Sequence, residues 1–236
     1  MKKTDSVSES LVIGLGEVGT AIASILGCDG IDKGQTARHK SYKFLHICFP
    51  YTDEFIRFVK SYQFQYSPDF IIVHSTVPVG TCKQINAVHS PVTGRHPDLV
   101  EGIKTFTKFF GGQDAFICSD LFREKGIKTK CYARSEITEA MKLISTTYFG
   151  LNVMIEKEIY AWCERNDLPF KEVYSTNNED YNRGYTELHC PQFVRPNLEH
   201  IAGEIKGHCI INNLDLIKDF PLAELLKEKN KEYAKV

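Results

Sequence analysis

Short apolar runs alternate with amphipathic stretches along the first half of the chain. The runs LVIG, FLHICFP, FIIVHST and DAFICS predict buried parallel strands of a βαβ array, and DEFIRFVKSY predicts a helical or loop stretch between two of them. Beyond KTKCYA the pattern changes to a long helical period over MKLISTTYFGLNVMIEKEIYAWCERN. Ser135 can cap this helix, and Glu136 and Glu139 place acidic residues in its first turn. The pattern predicts two regions that divide near residue 133.

A glycine-rich turn follows the first predicted strand. Gly14, Gly16 and Gly19 form a GxGxxG array that leaves this strand and opens the small-residue helix TAIASIL. Gly14 permits a tight turn, Gly16 lets the backbone approach a pyrophosphate, and Gly19 allows close packing of helix on strand. The N-terminus of the helix attracts an anion. This context favours a dinucleotide site, and the alternative is a glycine-rich turn that binds nothing.

The two regions together predict the fold class. We expect an α/β protein with a Rossmann-type doubly wound parallel sheet over residues 1–133, which would bind NAD(P). A smaller, mainly helical domain would follow over residues 134–236. The apolar run from Ile144 to Ala161 would expose a sizeable patch in a monomer, so we expect a homodimer.

Composition and charge narrow the class of partner. A net charge of −1 over 236 residues disfavours nucleic acid as a partner, and no apolar run approaches the length of a membrane span. The segment MKKTDSVSES lacks the apolar stretch of a secretory signal, so we expect a cytoplasmic protein whose eight cysteines are free thiols. Neither CxxC nor HxH nor HExxH spacing occurs, and we expect no metal site.

Five motifs carry a family resemblance. The GLGEVG turn, FLHICFPYTD, IIVHSTVPVGT, AMKLISTTYFGLNVMIEKE and GHCI occur in the order typical of the UDP-glucose/GDP-mannose dehydrogenase family. The chain resembles this family over residues 11 to about 213. STVPVGT, residues 75–81, is the most specific match, because it lies where the family has its STVP signature beside the nicotinamide. The resemblance implies NAD(P)-dependent oxidation of an alcohol carbon.

The resemblance also implies roles for three residues. Cys209 in GHCI matches the family's catalytic thiol, which attacks an aldehyde intermediate; the alternative is a buried, inert cysteine. Lys142 matches the helix lysine that stabilises or exchanges the proton of the reacting oxygen; the alternative is a lysine at the helix edge. Thr76 would orient a water or the cofactor amide, or else merely close the turn after the strand.

Cofactor choice depends on an acidic residue after the second strand. Asp32, 18 residues after Gly14, is the best candidate for the adenosine ribose, and Asp29 competes with it. Lys33 and Arg38 could instead accept a 2′-phosphate, so NAD is favoured over NADP only modestly. The full set of predicted cofactor-binding residues is Gly14, Gly16, Glu17, Val18, Gly19, Asp32, Pro50, Ser75 and Thr76.

The substrate segment is similar to a second group of enzymes. SPVTGRHPDLVEGIKTFTKFFGG is similar to the stretch by which 3-hydroxyisobutyrate-type dehydrogenases, relatives of 6-phosphogluconate dehydrogenases, hold a substrate carboxylate. This similarity favours a small acid as the substrate, and the alternative is that the segment is a plain polar loop.

His208, with Lys206, could also lower the pKa of the Cys209 thiol. The predicted substrate-binding residues are Thr93, Gly94, Arg95, His96, Arg183 and His208.

Departures from the family pattern keep other functions open. Thr146 stands where the family has asparagine, and Asn213 stands where it has aspartate. The sequence ends 27 residues after Cys209 (236 minus 209), where the family continues into a second α/β domain that holds the nucleotide of the sugar. A partner would then supply that domain, or the substrate would be smaller than a nucleotide sugar. The alternative function is a dinucleotide-binding sensor that has lost catalysis.

Overall fold

The computed structural model describes residues 8–95, 97–207 and 209–234. Within these residues seven strands form one sheet. The strands are β1 (Ser8–Ile13), β2 (Asp29–Ile31), β3 (Tyr42–Ile47), β4 (Phe70–Val73), β5 (Val88–His89), β6 (Lys108–Gly111) and β7 (Thr129–Tyr132). The helices are α1 (Glu17–Leu26), α2 (Phe55–Tyr66), α3 (Leu99–Thr105), α4 (Ala115–Arg123), α5 (Ser135–Arg165), α6 (Asn177–Glu187) and α7 (Pro221–Tyr233).

The sheet has the order β2-β1-β3-β4-β5-β6-β7. Every neighbouring pair is parallel except β5 and β6, which pair antiparallel at His89 and Gly111. From β1 the chain passes to β2 on one side, then crosses back to β3 on the other side of β1 and continues outward through β4. A crevice between the carboxyl ends of β1 and β3 follows from this reversal, and such switch points are where open α/β sheets bind ligands. The predicted Rossmann-type fold class is confirmed.

One predicted strand is wrong. DAFICS lies mainly in α4, and the strand of this region is the preceding KFFG of β6. Ala115, Cys118 and Phe122 are buried while Phe116 and Ile117 are exposed, which is the period of a helix with one apolar face. The short apolar run was ambiguous because a run of that length fits a buried strand or part of a helix equally well.

Apolar side chains alternate between the two faces of the sheet. Leu11 and Ile13 pack on the face that α2 covers, and Val12 packs on the opposite face with α1, α3 and α4. Because successive residues of a strand point to opposite faces, an uninterrupted apolar run is what a sheet covered on both sides requires. The edge where β1, β3 and β4 end stays accessible between these helix layers.

The chain divides into two compact units, one up to Leu143 and one from Ile144, so that α5 contributes to both. The second unit holds the rest of α5 with α6 and α7. A π-helical segment, Lys171–Thr176, precedes α6. The small apolar core of the second unit is formed by Ile205, Leu214, Ala223 and Leu226. Among the described helices none combines the length and apolar character that crossing a bilayer requires.

Candidate functional site

The glycine-rich turn between β1 and α1 is closely packed at two of its three glycines. Gly14 has φ +94°, and its N–H donates to Ile31 O at 2.8 Å. A Cβ at Gly14 would come within 3.0 Å of Phe49 N, and a Cβ at Gly19 would lie only 1.7 Å from Gly14 O. Glycine at these two positions is therefore required by the fold itself, because any side chain would collide with backbone.

Gly16 differs from both, because it faces open space. It precedes α1 as the N-cap residue, with φ −66°, and no atom lies within 4 Å of where its Cβ would be. The fold would accept a side chain here. A glycine at the open N-terminus of a ten-residue helix leaves room for an anion to approach the backbone and the positive end of the helix dipole.

Asp32 follows β2 and is joined directly to the glycine-rich turn. Its Oδ1 accepts a hydrogen bond from Leu15 N at 2.7 Å, and its own N–H donates to Gln35 Oε1 at 2.9 Å. Asp29, the competing candidate, lies at the start of β2 and pairs with Arg38 at 3.8 Å. Of the two carboxylates, Asp32 is the one beside the turn.

A pocket of about 220 Å³ lies next to Asp32. Aromatic rings from the β3–α2 connection and from α2 form much of its wall, and Asp32 and Lys33 bring opposite charges to it. An apolar wall with a few polar groups is the usual lining of a cofactor site. Its lining residues are Ile13, Gly14, Asp32, Lys33, Phe49, Pro50, Thr52, Phe58 and Tyr62.

The segment after β4 is held by a residue that the sequence analysis did not identify as part of the site. Glu139, fully buried in the first turns of α5, accepts hydrogen bonds from Gly80 N at 2.6 Å and from Cys82 N at 2.8 Å. Ser75 Oγ donates to Phe49 O at 2.6 Å, and this bond attaches the start of the segment to the connection between β3 and α2. The half-buried Thr76 therefore lies in a loop fixed at both ends.

Lys142 lies on α5 three residues after Glu139, and residues at this spacing share a helix face. Its Nζ donates to Val92 O at 2.9 Å. This contact brings the amine to the backbone immediately before Thr93 and Gly94, two of the predicted substrate-binding residues. Contacts of α5 thus join it to the STVPVGT loop (residues 75–81) and to the PVTG segment (residues 91–94).

The PVTG segment packs closely on α3. Thr93, Gly94 and Arg95 are exposed, and Gly94 has φ +143°. A Cβ at Gly102 of α3 would lie 2.7 Å from Gly94 Cα, so loop and helix are in direct backbone contact. His96, also predicted to bind substrate, lies outside the described residues.

His89 connects β5 to both neighbouring parts of this region. Its Nδ1 lies 2.9 Å from Thr138 Oγ1 on α5, and its Nε2 lies 3.2 Å from Ser75 O. Burial lowers the pKa of His89 to about 3, so the ring is neutral. A neutral ring has one donor and one acceptor, which these two contacts use.

The remaining predicted site residues lie in the second unit. Cys209 is the exposed one among eight cysteines, all of which fall in the described part of the chain. Asn213 Nδ2 donates to Cys209 O at 2.5 Å. Arg183, exposed on α6, pairs with Asp180. His208 lies outside the described residues.

Buried charges hold the segment that leads to Cys209. Lys157 of α5 donates to the carbonyl oxygens of Ile201 and, at 2.8 Å, Gly203. Glu156 Oε1 lies 2.7 Å from His200 Nδ1, and the His200 ring stacks on Tyr160 with centroids 3.6 Å apart. The loop before GHCI is thereby anchored to α5 within the second unit.

No cluster of three or more metal-binding side chains occurs in the described residues. The first unit contains an open helix N-terminus, a carboxylate beside it, and an amine that donates to the backbone before the exposed Thr93 and Gly94. These groups could hold a dinucleotide and one small anionic ligand.

No protein-family model matches the chain, and no curated protein is similar to it in sequence. Solved structures do share its fold. UDP-D-ManNAc dehydrogenase from Pyrococcus horikoshii has a TM-score of 0.76 at 14% identity, covering 95% of this chain and 68% of that one. A UDP-glucose dehydrogenase from Pyrobaculum islandicum has a TM-score of 0.67 at 13% identity, covering 100% and 69%.

A third similar structure matches over almost all of its own length. The 3-hydroxyisobutyrate dehydrogenase of Mycobacterium tuberculosis, solved with L-serine, has a TM-score of 0.69 at 15% identity. The match covers 98% of this chain and 94% of that one. The chain thus has the fold of dehydrogenases of UDP-sugars and of a hydroxy acid. Both resemblances noted in the sequence are confirmed at the level of fold.

Proposed function

We propose that this chain is an NAD(P)-dependent dehydrogenase that oxidises an alcohol carbon of a sugar or small hydroxy acid. The observation that carries the proposal is the contrast within the glycine-rich turn. Gly14 and Gly19 are required for packing, whereas Gly16 is compatible with a side chain and faces open space at a helix N-terminus. Free space at that point suits an approaching pyrophosphate.

The dinucleotide would be held by the turn and by the pocket beside it. Gly16, Glu17 and Val18 would present backbone at the pyrophosphate, and Asp32 would accept hydrogen bonds from the adenosine ribose. A carboxylate at this position repels a 2′-phosphate, which favours NAD over NADP. Pro50, Ser75 and Thr76 would contact the rest of the molecule. When bound, the nicotinamide supplies the hydride acceptor.

Lys142 would act on the substrate oxygen. Its contact with Val92 O holds the amine next to the exposed Thr93 and Gly94 of the PVTG segment. A neutral amine there would take the hydroxyl proton as the carbon loses hydride, so that one alcohol gives one carbonyl and one proton on Lys142. Thr93, the Gly94 amide and Arg95 would bind an anionic group of the substrate.

Cys209 would serve as nucleophile if oxidation continues from aldehyde to acid. Its exposure supports this role over that of an inert core cysteine. Burial raises the pKa of the Cys28 thiol to about 11 and that of Cys118 to about 12, which makes them poor nucleophiles. We therefore expect Cys209 to be alkylated first by iodoacetamide, as read by peptide mass spectrometry. Protection by substrate supports the role, and preferential alkylation of a buried thiol contradicts it.

Gly16→Asp tests the cofactor site without disturbing the fold. Because the position accepts a Cβ and aspartate is a favourable N-cap residue, we expect an unchanged melting temperature. The new carboxylate would repel the pyrophosphate, so binding of NAD and NADP in calorimetry should weaken about 100-fold or more. Gly184→Asp on α6, where an added Cβ also meets no atom within 4 Å, is the matched control.

Turnover is then measured by absorbance of the reduced cofactor with UDP-glucose, GDP-mannose and a panel of hydroxy acids. Unaltered affinity of Gly16→Asp, or no affinity of the wild-type chain for either dinucleotide, would sink the proposal. Dinucleotide binding without turnover favours the second candidate, a sensor without catalysis. Thr146 and Asn213, at the positions where the family has asparagine and aspartate, support that candidate.

A second copy of the chain is the partner that α5 favours. Large apolar side chains follow one another along this helix at helical spacing and are exposed in the single chain. They are Ile137, Met141, Ile144, Tyr148, Ile155 and Trp162. Sedimentation of the wild-type protein checks this part of the proposal, which a monomer at micromolar concentration would contradict.

A further inference from the structure

A row of polar side chains crosses the sheet inside the first unit. Ser10 of β1, His46 of β3, His74 after β4 and Lys108 of β6 lie on the face that α4 covers, and none is more than 4% exposed. Phe122 of α4 packs against both imidazole rings. Four buried polar groups in an apolar layer are costly unless each is hydrogen-bonded. The proposed catalytic site does not use them.

Each member of the row contacts the next. Ser10 Oγ lies 3.3 Å from His46 Nε2, His46 Nδ1 lies 3.0 Å from His74 Nε2, and His74 Nδ1 lies 3.3 Å from Lys108 Nζ. The two rings are within 6° of parallel, with centroids 5.3 Å apart. The centroid distance exceeds the N···N distance by about two ring radii, so the rings meet end to end rather than face to face.

The row can be hydrogen-bonded in either direction. With Lys108 charged, its ammonium donates both to Ser90 O at 3.0 Å and to His74 Nδ1 at 3.3 Å and so bridges these two acceptors; His74 Nε2–H donates to His46 Nδ1, and His46 Nε2–H donates to Ser10 Oγ. In the reverse direction Ser10 O–H donates to His46 Nε2, His46 Nδ1–H donates to His74 Nε2, and His74 Nδ1–H donates to Ser90 O at 2.8 Å. Shifting one proton across each contact converts the first arrangement into the second and carries one proton outward.

The outer end of the row opens to solvent. Ser10 lines a pocket of about 220 Å³ at the edge of the sheet where β2 begins, opposite the candidate site. Charged side chains of this pocket can exchange protons with water. Its lining residues are Glu9, Ser10, Leu26, Gly27, Cys28, Asp29, Leu121, Glu124 and Lys125.

The inner end of the row lies beneath the PVTG segment. Lys108 Nζ donates to Ser90 O at 3.0 Å and to Pro91 O at 3.4 Å, while Lys142 binds the next carbonyl, Val92 O. Two amines thus bind three successive carbonyls. Burial, and secondarily repulsion from Lys142, lowers the pKa of Lys108 to about 7, so both of its charge states are populated near neutrality.

Other titratable groups also face this amine. They are Cys48 at the end of β3, His46, His74 and His89 from the strands, and Lys142 from α5. Burial keeps the imidazoles neutral and the Cys48 thiol protonated. A neutral imidazole can receive a proton at one nitrogen and release one from the other, as a relay requires.

We propose that Ser10, His46, His74 and Lys108 form a proton relay between the pocket at the far edge of the sheet and the amine beneath the PVTG segment. Its use in catalysis rests on the proposed function. When an alcohol loses hydride, its proton passes to Lys142 and Lys108 releases one proton through the row to solvent, so that the summed charge of the two amines is unchanged. Lys142 then passes its proton to Lys108, which restores the starting charges, and each turnover yields one carbonyl and one released proton.

The relay is tested in the free protein, without dinucleotide or substrate. The protein with 15N-labelled histidine is transferred to D2O, and NMR follows the ring N–H protons of His46 and His74 together with the amides of Leu45 and Val73. Those amides lie in the same strands and report how often the sheet opens. Each rate is divided by that of the same kind of N–H in an unfolded peptide, and the relay predicts that the rings are protected about tenfold or more less than the amides. Equal protection would overturn it.

Variants at two positions decide whether the row is the path. Ser10→Val removes the hydroxyl and closes the outer end, whereas Ser10→Thr, which has nearly the same volume as Ser10→Val, keeps the hydroxyl. We expect Ser10→Val to slow ring exchange about tenfold while Ser10→Thr stays near wild type. His46→Asn is the second variant, because an amide holds a hydrogen bond but does not carry a proton. Unchanged exchange in both Ser10→Val and His46→Asn contradicts the relay, whatever the outcome of the dinucleotide titration.

Discussion

Gly19→Ala is expected to destabilise the first unit by about 3 kcal/mol or more, the upper range of overpacking. The added methyl would lie 1.7 Å from Gly14 O and 2.8 Å from Gly14 C. Both obstacles are backbone, so relief requires α1 to move away from β1. Alanine is intrinsically about 1 kcal/mol better than glycine inside a helix, which is too small to compensate.

Thermal unfolding followed by circular dichroism measures this effect. For a protein of this size each kcal/mol lowers the melting temperature by roughly 2–4 °C, so we expect a fall of about 6–12 °C. Dinucleotide binding should be lost as well, because the same movement displaces Gly14 and Gly16. Gly184→Ala on α6 is the control, since a methyl there meets no atom within 4 Å. A melting temperature equal to wild type in Gly19→Ala would show that the turn is not packed in this way.

Lys142→Met is expected to lower kcat by about 100- to 10,000-fold, the range for loss of a general acid–base group. Methionine keeps the unbranched shape of lysine but has no amine to hold the substrate proton. Affinity for the dinucleotide should stay within a few-fold, because Lys142 does not line the pocket beside Asp32. Steady-state kinetics on the substrate found in the panel, with calorimetry for the cofactor, separates the two effects.

Lys142→Arg distinguishes proton transfer from positioning. Arginine can still donate to Val92 O, but its guanidinium stays protonated at neutral pH. We expect kcat to fall almost as far as in Lys142→Met. Recovery of more than about half the activity in Lys142→Arg would mean that a fixed cation suffices. Lys104→Met on α3 serves as the control, because this exposed lysine forms a surface ion pair with Glu101 whose loss should change little.

Most of the fold could be predicted from local pattern. Apolar runs predict the strands β1, β3 and β4, and helical signals predict α1 and α5, because each of these signals lies within one segment. β5, β6 and β7 were missed, since strands of two to four residues are too short to show a period. The antiparallel pairing of β6 is likewise a matter of long-range contact.

Some residues of the candidate site could likewise be predicted from local pattern, and others could not. Gly14, Gly16, Gly19 and Asp32 were found from spacing, because the turn and the strand that follow one another along the chain also lie together in space. Glu139 could not be singled out, because its partners Gly80 and Cys82 lie more than fifty residues away. An acidic residue near the start of a helix looks the same in sequence whether it faces solvent or anchors a loop.

The sequence by itself determined the sheet-and-helix class, the glycine-rich turn and the identity of the polar groups. Only the tertiary structure decided which of those groups share a dry interior. His46 lies on β3, Lys108 lies on β6 and His74 directly follows β4, and each alone is an ordinary residue. Pairing of the strands brings them into one row, where burial and mutual contact set their protonation. Such properties depend on distance and dielectric environment, which no local pattern of residues encodes.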